Sequence, residues 1–98
     1  MGAPAVLSFQ FGLAPNPFRG AASVTIRFAT ASPVRAKVEV LDVTGRRVRT
    51  LADESIVGAV TLGWAGDDES GRPVPSGVYL FRVTSPAGAH AVRGMLLR

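Results

Sequence analysis

The stretch from Trp64 to Val83, W-A-G-D-D-E-S-G-R-P-V-P-S-G-V-Y-L-F-R-V, constrains this chain more than any other segment. It joins an aromatic residue, a polar turn and an apolar strand in one unit. Asp67, Asp68 and Glu69 cannot enter a core unpaired, Gly71 and Gly77 tolerate positive φ, and Pro73 and Pro75 block helix, so the chain must turn at the surface here. From Gly77 to Ser85 the pattern becomes a strand, with Tyr79, Phe81 and Val83 on one face and Val78, Leu80 and Arg82 on the other. The segment reads as a strand connection and not as a catalytic loop.

The rest of the chain repeats this grammar of short strands and turn residues, with no amphipathic helical stretch. Leu7, Phe9, Phe11 and Leu13 alternate with Ser8, Gln10 and Gly12, and Asn16-Pro17-Phe18-Arg19-Gly20 breaks the run. Val24, Ile26 and Phe28 form a second apolar face. After Ser32-Pro33, Ala36, Val38 and Val40 form a third. Asp42-Val43-Thr44-Gly45 reads as a hairpin loop, with Gly45 in the left-handed position and a returning strand over about 46–52. Val60, Leu62 and Trp64 point inward from the next strand, and a Pro86-Ala87-Gly88 turn leads to the last. Seven strands with turn signals every 8 to 12 residues or so predict an all-β, antiparallel β-sandwich. Its core is expected to centre on Phe28, Val38, Val40, Trp64, Tyr79 and Phe81. Arg27, Arg35, Lys37, Glu39, Arg47, Arg49 and Arg82 are expected outside.

Ninety-eight residues make one domain, able to bury about two-thirds of its unfolded surface. With 47% apolar and 18% charged residues the composition is that of a folded chain. Zero cysteine excludes disulfides, thiolate nucleophiles and zinc-thiolate sites, while leaving the redox compartment open. No apolar run approaches the roughly 20 residues of a membrane-spanning helix. The start, Met1-Gly2-Ala3-Pro4, lacks the pattern of a secretory leader. Residues 1–98 are therefore expected to be one module of a longer polypeptide.

Candidate chemistry is sparse. Asp67, Asp68 and Glu69 could offer oxygen ligands to calcium, but adjacent side chains of an extended segment diverge, and a solvated turn is preferred. Arg46, Arg47 and Arg49 form the densest basic cluster. Strand alternation splits it across two faces and no aromatic platform interleaves it, so no nucleic-acid partner is expected. His90 has no Ser, Cys or carboxylate at motif spacing. Val78 and Leu80, with Leu41 and Leu51, form either an apolar docking patch or a surface covered by an edge strand or neighbouring domain. Without a phosphate cradle, metal triad or paired acids, neither enzymatic activity nor a cofactor is expected.

Trp64, Gly66, Asp68, Gly71, Val74, Gly77 and Tyr79 resemble the W-D-G-x-D-x-x-G-x-x-V-x-x-G-x-Y signature of two related groups of bacterial immunoglobulin-like domains. These are the type IX secretion carboxyl-terminal sorting domains and the domain of the flagellar hook-capping protein. Ala65 departs from the usual Asp. Asn16-Pro17-Phe18 resembles the opening N-P-F, with Gly20 short of its serine-rich continuation, and Val24 to Phe28 resembles the T-x-I-x-F strand. Val40 to Leu51 resembles the V-Y-D-x-x-G-R-x-V-x-x-L hairpin that contains Gly45, with Leu41 for Tyr. Arg93-Gly94-Met95-Leu96-Leu97-Arg98 resembles the basic and apolar tail of type IX cargo, with Gly94 where a second basic residue is common. The resemblance covers about 16–98.

The resemblance implies an immunoglobulin-like, fibronectin-III-like sandwich at the carboxyl terminus of a secreted, cell-surface protein of a Gram-negative bacterium. Its partners would be the outer-membrane translocon, a surface sortase and the cargo domains preceding it. Arg93, Met95, Leu96, Leu97 and Arg98 would form the sorting signal, and removal of Met95 to Arg98 is expected to abolish export without unfolding the domain. The alternatives are a structural spacer or assembly module and, third, a carbohydrate-binding module, for which few aromatic rings remain exposed.

Overall fold

The computed structural model describes residues 9–28, 32–86 and 88–98. Eight strands build it: β1 (Phe9–Ala14), β2 (Phe18–Arg19), β3 (Ala22–Phe28), β4 (Val34–Leu41), β5 (Arg47–Ile56), β6 (Ala59–Trp64), β7 (Gly77–Ser85) and β8 (Gly88–Leu97). A three-stranded sheet, β1-β3-β6, faces a five-stranded one, β2-β8-β7-β4-β5. The seven expected strands are all present. The eighth, β2, is two residues long and pairs parallel to β8, Phe18 with Leu96 and Arg19 with Leu97. Among the described residues no helix is long and apolar enough to cross a membrane.

Period-two alternation produces the core. Val24 and Ile26 from β3, Val38 and Val40 from β4, and Phe81 and Val83 from β7 are fully buried or nearly so. Trp64 sits among Phe18, Tyr79 and Phe81 at ring-centroid distances of 5.8, 5.2 and 5.5 Å, all edge to face. Of the expected core residues, Val38, Val40, Trp64, Tyr79 and Phe81 are buried. Leu7 and the side chains of Phe9, Phe11 and Phe28 lie outside the described residues.

Two expectations about the sheet faces need correction. Glu39 is not outside: it is 5% exposed. It stands on the outer face of a central strand, where Arg82 (3.0 Å), Lys37 (3.7 Å) and Arg47 (3.8 Å) converge on its carboxylate and their stems shield it. Strict alternation also fails along β5. Register shifts at Val38/Glu39 and Val40/Leu41 leave Leu51 and Val48 as extra residues on the β5 side, and both pack against the core. Leu51 therefore leaves the expected outer patch. Leu41 is buried too, opposite Leu80.

Candidate functional site

The β4–β5 loop, the β6–β7 connection and the end of β8 meet at one end of the sandwich. The two loops share a pentad, Asp42-Val43-Thr44-Gly45-Arg46 and Asp68-Glu69-Ser70-Gly71-Arg72. In each, the Asp amide donates to the Arg carbonyl at 2.9 Å and the Gly amide donates back to the Asp carbonyl. Each Asp side chain accepts from the amides two and four residues on, at 2.9 and 3.1 Å for Asp42 and 2.9 and 3.0 Å for Asp68. Gly45, at φ 88°, closes the first loop. The Thr44 hydroxyl also donates to Asp42, at 2.5 Å, and is the leading cause holding that carboxyl below the usual carboxylate range. The sequence signal of these paired loops is the repeated D-x-[S/T]-G-R, whose two copies stand far apart in the chain.

The acidic turn is strapped to β5. The Asp67 carboxylate pairs with Arg49 at 3.0 Å, the Arg49 guanidinium donates to the Asp68 carbonyl, and the Thr50 amide donates to Glu69. The three carboxylates thus face three different partners and do not converge on one point. The Trp64 indole N–H donates to the Asp67 carbonyl at 2.8 Å, and the Tyr79 hydroxyl to the Pro75 carbonyl at 2.6 Å. Burial raises the Tyr79 pKa. Together the loops line a cavity of about 510 Å³ between Asp42, Arg46, Asp68, Glu69 and Tyr79.

The end of β8 is built into the fold. Arg98 donates from Nε to the Val74 carbonyl at 2.6 Å and from Nη2 to the Gly66 carbonyl, while its amide donates to Ser76 Oγ. Gly66 is buried at φ 74°, and a Cβ there would lie 2.8 Å from Arg98 Nη2. Gly71 and Gly77 also have positive φ, 84° and 155°. Leu96 is fully buried, Leu97 half-buried, and Arg93 and Met95 exposed. The five residues expected to be read together are thus divided, because β8 alternates between core and solvent. Removing Met95 to Arg98 would strip a core side chain, so the truncated domain is expected to lose its fold as well as the signal.

Gly94 has a packing reason. A Cβ there would overlap the Leu13 side chain and stand 3.0 Å from Phe81 and 3.2 Å from Phe18, so a basic residue has no room. Asn16, preceding Pro17 and the buried Phe18, acts as a piece of strand. Its Nδ2 donates to the Arg93 carbonyl at 3.0 Å and its Oδ1 accepts from the Met95 amide at 3.1 Å. Arg46 and Arg47 are exposed, and His90 lies on β8 opposite Val83.

No match is found among curated proteins. Among solved structures, the chain is similar to dimeric latent PorU from Porphyromonas gingivalis, with 24% identity and a TM-score of 0.72 over 91% of this chain and 9% of that one. It is similar to Porphyromonas gingivalis PorZ, described as an essential bacterial surface component of the type-IX secretion system, with 29% identity and a TM-score of 0.61. That match covers 90% of this chain and 11% of PorZ, so the chain spans about a tenth of either protein. The family model described as FlgD Ig-like domain matches residues 14–89. The paired sheets, the Trp64-centred core and this match together place the chain in the FlgD Ig-like domain family.

Proposed function

We propose that this domain is a non-catalytic sorting module that carries the protein domains preceding it across the outer membrane by the type IX route to the cell surface. The observation that carries the reading is the 29% identity to a type-IX surface component over 90% of this chain. Its partners are the translocon and a surface sortase, and the accessible part of the signal is Arg93 and Met95 on the outer face of β8. A structural spacer or assembly module is the second reading, favoured by the FlgD Ig-like family match.

Residues 1–98 fused behind a signal peptide and a reporter, in a type IX-competent bacterium, test the choice. Because Leu96 and Arg98 hold the fold, the informative variant is Arg93→Ala with Met95→Ala. Export of the reporter by the native domain, lost in a variant of unchanged melting temperature, is the expected result. A folded native domain that leaves the reporter in the periplasm would sink the sorting reading and favour the spacer.

A further inference from the structure

We propose that the open edge of β8, from Ala89 to Arg93, receives an extended acidic strand from a partner protein. The inference is independent of whether the domain sorts or spaces. Strand β8 pairs with β7 through nine consecutive residues with no bulge, yet on its other side only Leu96 and Leu97 meet β2. The two bonds of Asn16 show which groups face that side: the Arg93 carbonyl and the Met95 amide. By strand alternation, the amides and carbonyls of Ala89 and Ala91, and the Arg93 amide, project the same way. Among the described residues no strand is hydrogen-bonded to them on that side.

The far edge of the same sheet is treated differently. Strand β5 carries two register shifts, the charged pair Asp53 and Glu54, and Glu69 seated on the Thr50 amide, all devices that blunt pairing. From Ala89 to Arg93 strand β8 keeps a regular register with β7, and Asn16 closes its other side only from Arg93 onward.

Charge identifies the occupant. All seven acidic residues lie between Glu39 and Glu69, on β4, β5 and the two loops. At this edge stand Arg93, exposed and in no ion pair among the described residues, and Arg82, opposite Ala91 and committed to Glu39, while Arg19 lies further along, opposite Leu97. A second copy of this chain would bring its own Arg93 and a net charge of +4 to the edge. A nucleic acid would leave the backbone donors and acceptors unused. A peptide strand satisfies them, with acids at the positions sharing the Arg93 face and apolar residues at the alternate positions over half-buried Val92.

The test uses residues 1–98, an alternating Glu-Val peptide and its Lys-Val counterpart, followed by amide shifts and hydrogen exchange. The Glu-Val peptide should shift and protect the amides of Ala89, Ala91 and Arg93 and bind about tenfold more tightly than Lys-Val, with salt weakening it. Ala91→Pro removes a donor that faces away from β7 and should abolish binding while leaving the β7 ladder intact by circular dichroism. If that variant fails to fold, Arg93→Glu supplies the reading, and it should reverse the preference to Lys-Val. Unperturbed edge amides at about 1 mM Glu-Val peptide would overturn the proposal, as would equal binding of the two peptides. So would a heparin oligosaccharide that binds Ala91→Pro as well as the native chain, which would mark a charge patch, or self-association that protects the same amides.

Discussion

Deleting Met95 to Arg98 should unfold this domain or nearly so. Leu96 is fully buried against the aromatic cluster, and losing a buried leucine costs about 2–5 kcal/mol. The deletion also removes the β2 pairing and the three hydrogen bonds of Arg98, which at an exposed site contribute about 1–2 kcal/mol together. The loss is therefore about 5 kcal/mol, against a total stability of about 5–15 kcal/mol for a small domain. Urea unfolding followed by Trp64 fluorescence reads it directly, since Trp64 is the single tryptophan and is buried. With a slope of about 1–3 kcal/mol per molar urea, the midpoint should fall by at least about 2 M, or no folded baseline should remain. Arg98→Ala isolates the two side-chain bonds, keeping the amide bond to Ser76, and should lower stability by about 1 kcal/mol. A truncated chain whose midpoint lies within about 0.5 M of the full chain would refute the placement of Leu96 and with it this account of the β8 end.

Trp64→Ala should cost about 3–5 kcal/mol by the midpoint in the same titration, followed by circular dichroism, because the indole is 1% exposed and its N–H satisfies the Asp67 carbonyl. A loss under about 1 kcal/mol would remove Trp64 from the core. Gly94→Ala should destabilise by about 1–3 kcal/mol through overpacking against Leu13, Phe81 and Phe18, and an unchanged melting temperature would contradict that contact. The Asp42 carboxyl titrates lower in the folded chain than in the unfolded one, so its contribution is present above about pH 4 and is lost as pH falls through the folded value. Asp42→Asn should therefore flatten the acid limb of a melting-temperature profile in that window. Superimposable profiles would show that the loop bonds do not depend on the charge.

Much of the fold was legible because alternation is a direct image of which face is buried. Period two alone places Val38, Val40, Tyr79 and Phe81 inside, and prolines and carboxylates mark the turn at 65–76. What could not be read were the places where pairing departs from period two. Leu51 and Val48 face the core because bulges add them, and a bulge leaves no mark in the local pattern. Glu39 is buried by cations from three strands, a tertiary event. At the candidate site the resemblance supplied Asn16, Gly66 and Arg98 as motif positions but not their work. The bonds of Asn16 and of the Arg98 side chain span distant parts of the chain, and no local window contains both partners.

The pairing of Phe18 with Leu96 has a consequence for timing. The aromatic cluster is assembled from residues near both ends of the domain, so the core is incomplete until β8 has arrived. Contacts of such long sequence separation slow folding, and refolding is expected in milliseconds to seconds. A chain stopped at Pro86 is expected to lack cooperative unfolding, and a sigmoidal melt of that fragment would count against this order of events. Until the final strand arrives, Phe18 has no Leu96 to pair with and the cluster stays open on that side.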